Sequence, residues 1–135
     1  AQREYWTHPN YNNELNKLEQ AFDNDLPDYW PRFMEEMNIK EGTVSWTNVA
    51  PGNVVPVHTD KFYKLRKKYN VTEDECIRYL MFLQDWELGQ MVEFEEKVLT
   101  RWKKGDVWSF GINDSHWAAN GTQDNFITCQ INTFN

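Results

Sequence analysis

Short runs of β-branched and aromatic residues follow one another from Gly42 to the end of the chain, separated by turn-forming segments. Such runs are typical of β-strands, because branched and aromatic side chains pack well on a pleated, half-buried surface. The runs read TVSWTNVA, CIRYLMFLQD, MVEFEEKVLTRW, DVWSFG, SHWAAN and FITCQINTF. Several antiparallel strands in succession predict a sandwich or barrel, and the pair Asn120 and Gly121 predicts a hairpin turn.

The length of 135 residues predicts a single domain over 1–135. Within it we expect a helical N-terminal segment at 1–41 and a β core at 42–135. A helical insertion is predicted at 61–75, between two of the strands. The sequence therefore predicts a mainly β fold with short N-terminal helices packed on one sheet.

Apolar residues at helical spacing indicate two short helices in the first segment. They are Leu15, Leu18 and Phe22 for the first helix, and Phe33, Met34 and Met37 for the second. In the insertion, Thr72 and Glu75 have the spacing of a capping box, in which each side chain satisfies a backbone N–H of the other.

The composition excludes several classes of protein. A formal net charge of −7 argues against nucleic acid as the main partner, since phosphate binding needs a basic surface. Two cysteines without a C-x-x-C spacing indicate neither a disulfide framework nor a thiolate zinc site. No stretch reaches the roughly 20 apolar residues of a membrane span, and no secretory signal pattern is present. We expect no membrane partner and a cytoplasmic location.

His58 and Asp60 in the segment PVHTD are the first candidate metal ligands. Residues two apart on a strand point to the same side, so an imidazole and a carboxylate can converge there. His116, in NDSHWAAN, supplies a third ligand from a later strand. Each histidine alone is an ordinary surface or hydrogen-bonded residue, but two histidines and one carboxylate form the facial triad of non-haem Fe(II) proteins.

The order of these segments resembles the Fe(II)/2-oxoglutarate-dependent oxygenases, in particular the aspartyl/asparaginyl β-hydroxylase-like and prolyl-hydroxylase-like branches. The similar segments are SWTNVAPGNVVPVHTD, IRYLMFLQDW, WKKGDVWSFGINDSHWAANGT and FITCQINTF. The resemblance implies a double-stranded β-helix, or jelly roll, that holds Fe(II) through His58, Asp60 and His116. It also implies hydroxylation of a C–H bond with 2-oxoglutarate and O₂ as co-substrates, giving succinate and CO₂. The carboxylate of Asp60 distinguishes the chain from halogenating relatives, which have a small residue there.

The same resemblance implies a cation for the distal carboxylate of 2-oxoglutarate, usually an arginine about ten residues after the distal histidine. Phe126 stands at that position, and no Lys or Arg occurs from Trp117 to Asn135. Arg78, in CIRYLMFL, matches a second arginine of the β-hydroxylase-like branch and is the predicted anchor. Thr128 is predicted to contact the same co-substrate through its hydroxyl, beside Arg78.

Trp46, Asn48 and Trp117 are candidate substrate-binding residues beside the metal, although large aromatics in small β domains are mostly core residues. The primary substrate, a peptide residue or a small molecule, is not assigned by the sequence. Two alternatives remain. A cupin metal site typically uses H-x-H, which is absent here, and the third histidine, His8, lies in the N-terminal segment. A non-catalytic, cupin-like metal-binding module is the alternative of a different class.

Overall fold

The computed structural model describes residues 14–21, 28, 30–95 and 97–134. Two α-helices lie in these residues, α1 at Trp30–Glu36 and α2 at Tyr63–Tyr69. The strands are β1 Lys17–Ala21, β2 Gly42–Val49, β3 Asn53–His58, β4 Cys76–Phe82, β5 Gln90–Phe94, β6 Lys97–Leu99, β7 Val107–Phe110, β8 His116–Asn120 and β9 Phe126–Phe134. No helix in the described part of the chain is long and apolar enough to cross a membrane.

The strands form two antiparallel sheets that face each other. The larger sheet has the order β1-β2-β9-β4-β7, and the smaller sheet has the order β3-β8-β5-β6. Apolar side chains from both sheets fill the space between them. They include Val49, Leu80, Phe82 and Phe126 from the larger sheet and Val55, Val92 and Leu99 from the smaller sheet. This arrangement is a double-stranded β-helix, and it confirms the predicted fold class.

Strict alternation along β4 sorts the side chains of the larger sheet between its two faces. Cys76, Arg78, Leu80 and Phe82 are buried, whereas the residues between them are only partly buried. The opposite face of this sheet packs on α1 through a second apolar cluster, which includes Trp30, Ile39, Val44, Cys129 and Ile131. The larger sheet therefore has one face toward the interior of the β-helix and one toward α1.

The N-terminal segment differs from the prediction in its first element. Of the residues expected to form the first helix, Leu15 precedes β1 and Leu18 lies in it; β1 pairs antiparallel with β2 and places Leu18 opposite Thr47. Phe22 lies outside the described residues. Three apolar residues at helical spacing are a weak signal, and the open edge of β2 offers unsatisfied backbone groups that a strand can pair with. The second helix is confirmed as α1.

The predicted insertion contains α2 and a 3₁₀ turn at Glu73–Glu75. The capping box is present: the backbone N–H of Thr72 donates to Oε1 of Glu75 at 3.0 Å. Leu65 of α2 is buried in a third apolar cluster that also contains Phe62, Cys76 and Ile112. This cluster anchors the insertion against the end of the β-helix.

The predicted Asn-Gly hairpin is wrong, because the strands on either side of it, β8 and β9, belong to different sheets. The chain crosses between the sheets here, and the buried side chain of Asn120 holds the crossing. Its Nδ2 donates to the backbone oxygens of Val49 at 2.8 Å and Asp124 at 2.7 Å. These long-range bonds replace the local turn that the dipeptide alone favours.

Candidate metal centre and its cavity

His58 is the last residue of β3, and a β-bulge decides which way it points. Val55 pairs with Ala118 and His58 pairs with His116, so β3 has one more residue than β8 between these pairs. The extra residue reverses the alternation, which leaves Val57 exposed and His58 buried. Pro56 lies in the bulge, where a residue without a backbone N–H costs no ladder hydrogen bond. His58 consequently faces the interior of the β-helix.

His116 is the first residue of β8 and lies directly opposite His58, with 4.3 Å between the ring centroids. The Nδ1 atoms of the two rings contact backbone carbonyl oxygens, of Pro56 at 2.8 Å and of Asp114 at 3.0 Å. Since a carbonyl oxygen only accepts, Nδ1 carries the proton in each neutral ring and Nε2 is the nitrogen with the lone pair. Both lone pairs are thus available on the side away from the backbone.

Asp60 lies two residues beyond the end of β3 and is buried. Its Oδ2 is 3.0 Å from Nε2 of His116, and its Oδ1 is 3.8 Å from Nε2 of His58. One ligand atom from each of the three residues lies within 4.8 Å of the others. Two cis ligands of one metal ion are separated by about 3 Å when each metal–ligand bond is near 2.1 Å. The distance between His116 and Asp60 matches this value, and the distance between His58 and Asp60 would match it after a small movement of the His58 side chain. The three side chains therefore fit a divalent ion.

The donor set itself favours a metal of intermediate softness. Two imidazoles and one carboxylate suit divalent transition metals such as Fe(II) or Zn(II), and backbone acceptors on the distal Nδ1 atoms orient the rings as in known histidine metal sites. Phe110 and Phe94 flank the ring of His116, with centroid separations of 4.7 and 5.3 Å. They restrict the ring to one orientation.

Arg78, the predicted anchor, points from β4 into the same space. Its Nη1 donates to Oδ2 of Asp60 at 2.5 Å, and its Nε donates to Oδ1 of Asn132 at 2.6 Å. The guanidinium also lies 5.1 Å from the ring centroid of Phe62 and 5.8 Å from that of Phe110. Arg78 therefore stands at the metal end of the interior, bonded to a candidate ligand.

A cavity extends from this centre into the β-helix. Its walls are mostly apolar, with a polar strip on the β2 and β9 side. The lining residues include His58, His116, Arg78, Trp117, Thr128, Gln130, Ser45 and Thr47. Arg78 is the one lysine or arginine among the described lining residues. Any ligand in this cavity meets its positive charge at the metal end.

The structure brings some of the predicted cavity residues together and separates others. Thr128 lines the cavity from β9, and its Oγ1 accepts a hydrogen bond from Nε2 of Gln130 at 2.6 Å. Trp117 also lines it, although its indole N–H donates to Glu93 at 2.8 Å. Trp46 and Asn48 are not brought to the cavity.

Trp46 and Asn48 do not line the cavity because side chains alternate between the two faces of a strand. Thr47 and Val49 of β2 line the cavity, so the residues between them point to the other face of the sheet. Trp46 packs there against the cluster beneath α1. The structure therefore places both residues away from this cavity, on the face of the larger sheet that is turned toward α1.

Phe126, at the position where a cation is implied, closes the inner end of the cavity. It is 3% exposed and belongs to an aromatic stack with Trp102 and Phe82, at centroid separations of 5.3 and 6.5 Å. Trp102 and Phe82 are themselves stacked at 4.0 Å. Because Phe126 is uncharged, the inner end of the cavity has no positive charge at the position where the resemblance implies an arginine.

Gln130 and Asn132 are cavity or site residues that sequence reasoning missed. With Thr128 they form a polar series at every second position of β9, in a strand whose other residues are apolar apart from Thr133. Buried polar residues at a period of two indicate one face of a strand that meets a ligand or a network. That signal was present in the sequence. His8 lies outside the described residues.

No family model matches the sequence, and no curated protein matches it. Solved structures share its fold. The cupin domain of Cnp3 from Schizosaccharomyces pombe has a TM-score of 0.56 at 13% identity, covering 94% of this chain and 66% of that chain. A predicted oxalate decarboxylase from Thermotoga maritima has a TM-score of 0.51 at 15% identity, covering 89% and 84%. A cupin domain of an XRE-family transcriptional regulator from Enterobacter cloacae has a TM-score of 0.56 at 10% identity, covering 90% and 98%.

These similarities establish the fold alone. The chain has the double-stranded β-helix of cupin proteins, and it spans just under two thirds of the Cnp3 chain that it matches. Within that fold, His58, Asp60 and His116 form a possible metal site.

Proposed function

We propose that the protein is an Fe(II)-dependent oxygenase that uses a 2-oxo acid, with 2-oxoglutarate as the co-substrate implied by sequence resemblance. It would hydroxylate a C–H bond of a peptide residue or small molecule. The supporting observation is the convergence of His58, Asp60 and His116 within 4.8 Å at the end of an internal cavity. Two imidazoles and one carboxylate leave adjacent coordination positions open for a chelating ligand and O₂.

Bound Fe(II) would supply the redox chemistry, in which O₂ and the 2-oxo acid give the hydroxylated product, CO₂ and, from 2-oxoglutarate, succinate. The protein residues bind and orient. The carbonyls of Pro56 and Asp114 fix the two imidazoles, and Arg78 holds the carboxylate of Asp60. Arg78 is also the one lysine or arginine among the described residues that line the cavity, and the mostly apolar walls would exclude water from the reacting groups.

A non-catalytic metal-binding module is the second candidate, and the aromatic stack around Phe126 favours it. This stack occupies the position of the implied carboxylate-binding cation. A cavity without that cation suits a protein that kept the metal ligands but does not turn over 2-oxoglutarate.

Spectroscopy and product analysis distinguish the two candidates. Fe(II) and 2-oxoglutarate are added without oxygen, and the expected result is the visible charge-transfer band of the chelate. In air, the same mixture should form succinate. Both signals should disappear in His58→Ala and persist in Asp28→Ala, which alters an exposed aspartate away from the cavity lining. Metal binding with neither the band nor succinate would contradict the oxygenase proposal and support the binding module.

A further inference from the structure

Four neutral polar side chains form a hydrogen-bonded row on the cavity wall made by β2 and β9. The hydroxyls of Thr47 and Ser45 donate to Oε1 of Gln130 at 3.0 and 3.5 Å. Nε2 of Gln130 then donates to Oγ1 of Thr128 at 2.6 Å. All four line the cavity, which is otherwise mostly apolar. We call these residues the polar row.

The polar row begins one step inward from the metal end. On β9, Asn132 pairs with Arg78 and Gln130 pairs with Leu80, so Gln130 lies two residues deeper than the Arg78 pair. Two residues of a strand correspond to about 7 Å. A five-carbon 2-oxo acid chelating a metal at the Asp60 end reaches this depth with its far end. The row is therefore placed to contact the group that distinguishes one 2-oxo acid from another.

The inner end of the cavity offers no positive charge in its described lining. Arg78 stands at the metal end and Phe126 is part of the aromatic stack. A carboxylate moved into this position would lose its hydration without gaining a counter-charge, which is costly. An uncharged polar group would lose less hydration, and the amide of Gln130 with three hydroxyls offers it both donors and acceptors.

We propose that the polar row receives an uncharged hydrogen-bonding group, so that the cavity selects a 2-oxo acid with one carboxylate at the metal end and a neutral polar far end. This inference rests on the proposed function, because the metal end must hold the 2-oxo acid group. It goes beyond the proposed function by assigning the far end of the 2-oxo acid: 2-oxoglutarate can bind, but its distal carboxylate gains no affinity over a neutral polar group.

Binding to the Mn(II)-loaded full chain, measured by calorimetry, tests this without turnover. The three ligands are pyruvate, 2-oxoglutarate and the 5-methyl monoester of 2-oxoglutarate. The monoester should bind at least as tightly as 2-oxoglutarate and about tenfold more tightly than pyruvate, which does not reach the row. If 2-oxoglutarate binds more tightly than the monoester, the inference is overturned while the proposed function stands. If none of the three binds, pyruvate included, the proposed function itself fails.

Isosteric variants then assign the effect to the row. Thr128→Val and Thr47→Val each remove one hydroxyl, and each should weaken monoester binding up to about tenfold without changing pyruvate binding. Thr100→Val, at an exposed threonine outside the cavity lining, is the matched control. Equal losses for monoester and pyruvate, or no loss for either, would overturn the assignment. The wild-type comparison of ligands remains decisive even if a variant does not fold.

Discussion

Arg78 donates a hydrogen bond from Nη1 to Oδ2 of Asp60 at 2.5 Å, and this bond joins the two sheets of the β-helix at the candidate metal centre. Arg78 belongs to β4 of the larger sheet, whereas Asp60 follows β3 of the smaller sheet. Both side chains are at most 7% exposed, so water screens the pair very little. Arg78 thus orients a candidate metal ligand through this bond and also supplies the positive charge of the cavity.

Arg78→Ala should weaken metal binding as well as 2-oxo acid binding. Loss of a group that holds a metal ligand typically lowers metal affinity about 10- to 100-fold. Mn(II) affinity, measured by calorimetry, should fall by at least about tenfold relative to wild type. Arg32→Ala, at an exposed arginine bonded to Glu36 on α1, should leave it unchanged. An unaltered Mn(II) affinity in Arg78→Ala would show that the Asp60 bond does not tune the site.

Asp60→Asn should destabilise the metal-free protein by about 3 kcal/mol, because it leaves the buried charge of Arg78 without its anion. The measurement is urea unfolding in the presence of a chelator. Adding Arg78→Met to Asp60→Asn removes that charge and should restore part of the loss, since neutral replacements of a buried pair are often tolerated. Strictly additive costs of the two substitutions would argue against a coupled pair.

Phe126→Ala should lower the free energy of unfolding by about 3 to 5 kcal/mol, because it opens a cavity in the stack with Trp102 and Phe82. Tyr63→Ala, at an exposed aromatic of α2, should cost less than about 1 kcal/mol. Denaturant unfolding of the two variants gives the comparison. Similar small costs for both would mean that the stack is not a closed part of the core.

Cys129 should make stability depend on pH above 9. Burial raises the pKa of the Cys129 thiol to about 12, from an ordinary value of 9.0. The unfolded thiol therefore ionises first, and the stability present below pH 9 is lost as the pH rises toward 12. At pH 10 this loss is about 1.4 kcal/mol. Urea unfolding at pH 8 and pH 10 should show it in wild type. The loss should be smaller in Cys129→Ala, in which only the Cys76 thiol, whose pKa burial also raises, still contributes in this way.

No disulfide interferes with this measurement. Cys76 and Cys129 are free, and although they lie on the adjacent strands β4 and β9, Cys129 pairs with Met81. Met81 is five positions from Cys76 on β4, which corresponds to roughly 16 Å along the strand. This separation is far beyond the reach of a disulfide.

Local patterns in the sequence were sufficient for most strands of the β core and for the faces of β4, but not for β1. In accord with a period of two, Arg78 lies on the interior face of β4 and Tyr79 on the other. The same period did not assign Trp46 of β2 to the correct face. Alternation shows that a strand has two faces, but it does not show which of them borders the cavity. Only the packing of α1 on the larger sheet assigns that face.

By itself, the sequence determined the element types of the β core and the three side chains that could act as metal ligands, because both depend on residue identity and short spacing. Tertiary structure decided how those side chains are used. The bulge in β3 turns His58 inward, β1 completes the edge of the larger sheet, and Asp60 meets Arg78 from the opposite sheet. Each of these depends on backbone pairing or contacts between residues far apart in the chain, and local periodicity carries no information about such contacts.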